Sequence, residues 1–130
     1  MDRLRVTSGT SWEMEIGYCR AMRVGPHIAV SGTTAIPQGE VVYAGDAAKQ
    51  TGVVIGIIEQ ALAGVGARLN DIVRMRVYIT RVEDIPAVSK ALREGGLKHI
   101  VPTLTMVVVQ ALIDPRLVVE IEADAIVGHD

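Results

Sequence analysis

The chain has 130 residues, of which 49% are hydrophobic, with no Phe, a single Cys and a formal net charge of -2. That length suits a single domain over residues 1–130 with a core that needs no disulfide staple, and the lone Cys19 fits a reducing, cytoplasmic setting. Aromatics at 3% and scattered Lys and Arg provide neither a base-stacking platform nor a phosphate-tracking patch, so no nucleic-acid partner is expected. No membrane partner is expected either, because Met1-Asp2-Arg3 has no apolar signal core behind it and no apolar run approaches the ~18 residues of a membrane helix.

Taken in order, the chain opens with an apolar-polar alternation over Leu4–Thr7, followed by a polar loop around Ser8-Gly9-Thr10. Trp12, the only tryptophan, reads as a packing anchor, since a ligand cage needs several aromatics. Gly17–Val24 is strand-like, Gly25-Pro26 turns the chain, and His27–Ser31 returns it as a second strand. Strand parity puts Tyr18, Arg20 and Met22 on one face, so Tyr18 and Arg20 are able to reach one site. A loop through Pro37 and Gly39 and an extended piece at Val41–Tyr43 follow.

At Asp46 the period changes. Thr51, Val54, Ile55, Ile58, Ala61, Leu62 and Val65 form one helical stripe, with Asp46 as N-cap and Gly66 as stop; Gln50 falls one residue too late for a capping box. Ile72–Thr80 alternates as a half-buried strand, with Val73, Met75, Val77 and Ile79 inward and Arg74, Arg76, Tyr78 and Thr80 outward. A second helix is expected from Asp84, with Pro86 in its first turn, Val88 and Leu92 on its apolar side and Gly95-Gly96 as its end.

Two long β runs close the chain, Thr103–Gln110 and Leu117–Val127, and the Asp114-Pro115 turn between them reads as a hairpin. In the second run Val119, Ile121, Ala123 and Ala125 share one face, and Glu120, Glu122 and Asp124 share the other. The first run is apolar on both sides, the mark of a strand covered on both faces. The expected architecture is an α+β sheet with two helices on one face. Two helices cover only one face, so a cyclic homo-oligomer is expected to cover the other.

The segments GYCRAMRVG, VSGTT, AKQTGVVIGIIEQALAGVGARLNDIVRMRVYIT and VPTLTMVVVQALIDPRLVVEIEADA resemble the RidA/YjgF family, also labelled endoribonuclease L-PSP. The resemblance spans nearly the whole chain and implies a chorismate-mutase-like fold, a homotrimer and small-molecule clefts between subunits. It also implies hydrolysis of enamines and imines such as 2-aminoacrylate. That chemistry needs a cation for the substrate carboxylate, a positioned water and a proton relay. The family's carboxylate-binding arginine falls at Leu104, flanked by Thr103 and Thr105, so weak turnover of 2-aminoacrylate is expected, with the two threonine hydroxyls as the nearest replacements. Glu120 matches the residue beside the reactive water, Tyr18 the cleft tyrosine, and Ser31 and Gly32 the backbone-lined wall.

Each position also has a structural reading. Glu120, Glu122 and Asp124 suit a solvated or Arg-paired strand face with Arg74 and Arg76 as partners, and for Glu122 and Asp124 that is preferred. Tyr18 suits an interface cap. Arg20 suits a surface ion pair, or a substitute cation for an acidic ligand. No cofactor or metal is expected: His27, His99 and His129 are far apart, Cys19 has no motif around it, Gly64-x-Gly66 is a helix stop, and Ser31-Gly32 lacks the G-x-S-x-G elbow. Two functions stay open, a deaminase-type hydrolase using Glu120 and a non-catalytic trimer binding a metabolite or a protein. Ribonuclease activity ranks third, for want of an acid-base pair and of basic charge.

Overall fold

The computed structural model describes residues 2–128; His129 lies outside them. Six strands form one mixed sheet: β1 (Arg3–Val6), β2 (Ala21–Val24), β3 (His27–Thr33), β4 (Ile72–Ile79), β5 (Thr103–Val108) and β6 (Val119–Ile126), in the order β1-β2-β3-β6-β4-β5. Helix α1 (Ser11–Ile16) precedes β2, while α2 (Ala47–Gly64) and α3 (Ile85–Leu92) lie on one face of the sheet, with α2 packed on β3, β6 and α3. The α+β class and the two covering helices are as expected from sequence.

The stripe on α2 is buried as its period demands: Val54, Ile58 and Leu62 are sealed against Val77, Ile79, Val119 and Ile121 of the sheet. Asp46 caps the helix by accepting from Lys49 N at 3.0 Å, and Gly66 takes the left-handed φ of +79° that ends the turn beyond it. Gln50 serves another purpose. Fully buried, it donates to the carbonyls of Tyr43 (3.0 Å) and Arg116 (2.9 Å) and accepts from Val118 N (2.9 Å), tying two loops to the helix.

Four expectations are corrected. β5 and β6 are not a hairpin: β5 pairs in parallel with β4, and β6 lies antiparallel on the other side of β4. The helical crossover through α3 makes that parallel pairing possible, whereas the Asp114-Pro115 turn only reverses the chain, Asp114 accepting from Arg116 N at 2.9 Å. Next, Val73 is exposed and Ile72 is buried, because the β4–β6 register shifts between Ile72 and Arg74. The second helix runs past Gly95-Gly96 through a π-helical stretch (Arg93–Leu97) and a turn (Lys98–Ile100), ended by Val101 with φ of 49°. Finally, the stretch expected as loop and early strand contains α1, and β2 begins only at Ala21.

β5 is an edge strand. Leu104, Val107 and Val108 are 42%, 41% and 49% exposed, so the run expected to be covered on both sides stands uncovered in the protomer.

Candidate small-molecule cavity at the β3–β6 seam

Alternation on β6 sends Glu120 to the face away from the helices, between buried Val119 and Ile121. Across the seam, the β3–β6 register is irregular between Val30 and Thr33, and Ser31 and Gly32 sit in that gap. A Cβ on Gly32 would lie 2.2 Å from Glu120 Oε2, so a larger residue there would push the carboxylate end of Glu120 aside. Ser31 is held by its own hydroxyl, which donates to Cys19 O at 2.7 Å.

These residues line a cavity of about 410 Å³ together with Tyr18, Arg20 and Thr34, while Trp12, Ile16, Ile36, Ile57 and Ile113 supply apolar walls. Sequence reasoning grouped Tyr18, Arg20, Ser31, Gly32 and Glu120 with Thr103, Leu104 and Thr105; the structure brings the first five to this one cavity and not the three on β5. Trp12 is no core anchor, being 39% exposed at the rim.

Arg20 is not on the surface. It is only 7% exposed, its Nη1 donates to Gly32 O at 2.8 Å and Thr33 Oγ1 at 3.2 Å, and its guanidinium stacks 5.5 Å from the Tyr18 ring centroid. Its Nε lies 3.8 Å from Glu13 Oε2, a buried ion pair where an exposed one was expected. Glu13 was missed. Its carboxylate accepts from Ser8 N (3.0 Å), Ser8 Oγ and Thr10 Oγ1 (3.0 Å). The signal available was the Thr10-x-x-Glu13 spacing, a capping-box pattern that announces a helix start.

Two carboxyls thus flank one guanidinium in different surroundings. Burial pushes Glu13 up, but the hydrogen bonds from Ser8 and Thr10 and the charge of Arg20 outweigh it and hold its pKa below the usual value. For Glu120 burial dominates and raises the pKa; Arg20 pulls against it and Glu122 adds to it. Among the described residues Glu120 makes no side-chain hydrogen bond or ion pair. Its neighbours on β6 do: Arg76 reaches Glu122 (3.6 Å) and Asp124 (3.5 Å), and Tyr78 Oη donates to Glu122 at 2.6 Å. The Arg-paired reading therefore fits Glu122 and Asp124, through Arg76.

The β5 positions lie elsewhere. Leu104 faces a groove of about 290 Å³ with Leu92, Arg93, Leu97, Lys98 and Met106, on the helix side of the sheet. Thr103 donates to Val73 O at 2.8 Å, and Thr105 is exposed beside Arg76. None of the three lines the Glu120 cavity within the protomer. Among the described residues no group of three or more His, Cys, Asp or Glu is placed to hold a metal ion, and no helix is long and apolar enough to cross a membrane.

The single α+β domain, a mixed sheet with helices packed on it, matches the fold of YjgF-like proteins. A crystal structure of a Mycobacterium tuberculosis member of the YjgF/YER057c/UK114 family superposes with a TM-score of 0.87 at 42% identity, covering 97% of this chain and all (100%) of that one. The family described as Endoribonuclease L-PSP matches residues 10–127, and the chain belongs to it. An uncharacterised protein of Streptomyces coelicolor is 37% identical over 125 residues, 95% of this chain and 92% of that protein. A RutC family protein of Pyrococcus abyssi is 35% identical over 78 residues, covering 59% and 61%.

Proposed function

We propose that the protein is a cytoplasmic, homotrimeric hydrolase of small enamines or imines, with Glu120 relaying the protons. The observation that carries this is a half-buried carboxyl lining a cavity, with no hydrogen-bond or ion-pair partner among the described residues and a pKa raised by burial, as suits a proton-transfer group. Water adds to the C=N carbon as Glu120 takes its proton. Glu120 then returns a proton to the nitrogen, and collapse of the carbinolamine yields the carbonyl compound and ammonia. Tyr18 and the Ser31-Gly32 wall shape the site around the reacting atoms.

Turnover of 2-aminoacrylate is weak on this account, since Leu104 offers no charge and Thr103 already spends its hydroxyl on Val73 O. The homotrimer is supported by the uncovered β5 edge, whose apolar residues a neighbouring subunit would bury. A non-catalytic trimeric metabolite-binding module is the second reading, favoured by that same Leu104. An amino-acid oxidase assay separates the two: imino acids are generated in place and their decay is followed with and without the protein. Faster decay of at least one imino acid supports the hydrolase; decay at the buffer rate across a panel of oxidase substrates supports the binding module.

A further inference from the structure

We propose that α1 is a lid over the Glu120 cavity, hinged at Gly9 and Gly17, and that Glu13 is the positioning residue that latches it to Arg20. Its purpose rests on the cavity being the reaction site proposed above, whereas its movement does not depend on turnover. Gly9 and Gly17 flank the lid, take left-handed φ of +77° and +95°, and have open space where a Cβ would stand. Between them the apolar side chains are not spent on the core: Met14 and Ile16 are 85% and 67% exposed, and Trp12 is exposed as well. Among the described residues α1 packs closely against no other helix or strand. A six-residue helix is too short to stand on its own hydrogen bonds, so something besides apolar packing must hold it.

Glu13, the one buried residue of α1, is the group that does so. Ser8 N (3.0 Å), Ser8 Oγ and Thr10 Oγ1 (3.0 Å) fasten its carboxylate within the segment itself, and its side-chain tie to the body is Arg20 Nε at 3.8 Å. Arg20 is fixed firmly on the body side. Its Nη1 donates to Gly32 O and Thr33 Oγ1, its backbone N–H donates to Val6 O at 2.7 Å, and its carbonyl accepts from Ser31 N at 2.9 Å. The latch itself is an ion pair beyond hydrogen-bond distance, with no hydrogen bond on Nε, and is the weakest joint between the two parts. Trp12 and Ile16 line the cavity from α1, while Ser31, Gly32 and Glu120 line it from the sheet. Swinging α1 out about its glycines removes one wall and opens the carboxyl to solvent. Closing it shields Glu120 and Arg20 from bulk water while a substrate is held.

Trp12 is the only tryptophan, so intrinsic fluorescence of the intact protein reports the lid directly. Acrylamide quenching in Glu13→Gln is expected to rise at least about two-fold over wild type, with an unchanged far-ultraviolet circular dichroism spectrum. Hydrogen exchange of the native chain gives a second measurement. The amide of Tyr18, which donates to Glu13 O across the Gly17 hinge, is expected to exchange at least about ten-fold faster than the paired amides of β4 and β6, through an opening insensitive to urea because it exposes little surface. Unchanged quenching in a folded Glu13→Gln, or exchange of Tyr18 with the rate and urea dependence of β4 and β6, overturns the proposal. The exchange measurement uses the native chain, so it decides even if the variant does not fold. Failure of imine hydrolysis would be seen in the oxidase assay alone and leaves the lid standing.

Discussion

The Glu120 cavity and the Leu104 groove make an instructive pair. Family resemblance places their residues in one cleft, yet in the protomer β4 stands between β6 and β5, and Leu104 points to the helix side while Glu120 points away from it. The cavity has a half-buried carboxyl and a buried guanidinium whose Nε has no hydrogen-bond partner among the described residues; the groove mixes aliphatic side chains with Arg93 and Lys98 beside an edge strand. On the proposed function, the first region carries the chemistry and the second the subunit contact. The two regions join only if the β5 of one subunit meets the cavity of another, which is what a cyclic assembly would bring about.

Breaking the assembly is the strongest test of that division. Val107→Asp changes nothing buried within the protomer, where Val107 is exposed, but places a charge in the proposed interface at a cost of several kcal/mol. Sedimentation should show trimers for the wild type and monomers or unfolded chains for the variant. Gly32→Ala acts on the cavity alone. Its new Cβ would stand 2.2 Å from Glu120 Oε2, so the carboxylate must swing aside, and imine turnover should fall at least about ten-fold with little change in stability measured in urea. Leu104→Arg asks whether the regions meet across subunits. A restored charge-assisted clamp should raise 2-aminoacrylate turnover about ten-fold in the oxidase assay, whereas no change would mean that the groove stays apart from the chemistry.

The smallest effect contrasts the carboxyls on either side of Arg20. Glu13 has a lowered folded pKa, so its stabilisation is complete above the unfolded pKa and is lost as pH falls through the folded one. Glu13→Gln should therefore cost ~1–2 kcal/mol at neutral pH, with the gap to wild type closing in acid. Glu120 has the opposite sign: its raised pKa favours the folded state below the unfolded value, and that contribution is lost as pH rises through the folded pKa. Urea unfolding of Glu13→Gln and Glu120→Gln across pH separates the two slopes.

Much of this was legible in the sequence because burial imposes a period. The stripe from Thr51 to Val65 and the alternation from Val119 to Ala125 each need one face buried, and both landed as read. Of the eight positions grouped from parity and resemblance, Tyr18, Arg20, Ser31, Gly32 and Glu120 do share one cavity, while Thr103, Leu104 and Thr105 on β5 do not line it. Strand neighbours were not legible, since periodicity says which face is buried but not which strand lies alongside. The helix-length link between Ile79 and Thr103 was the available hint that β5 pairs in parallel with β4. The bulge at Val73 and the burial of Arg20 against Glu13 arise from contacts between distant segments, which no local pattern carries. α1 escaped because six residues between Thr10 and Gly17 are too few to establish a period.

The most direct test compares Glu120→Gln with Glu122→Gln in the oxidase-coupled assay, on an imino acid that the wild type hydrolyses. The two glutamates share a strand face, but Glu122 is engaged by Arg76 and Tyr78 while Glu120 is free in the cavity. Glu120→Gln should lose about 10²–10⁴-fold in rate, the usual contribution of a general acid-base group, with Glu122→Gln within a few-fold of wild type. Equal retention of activity in both variants would contradict the account.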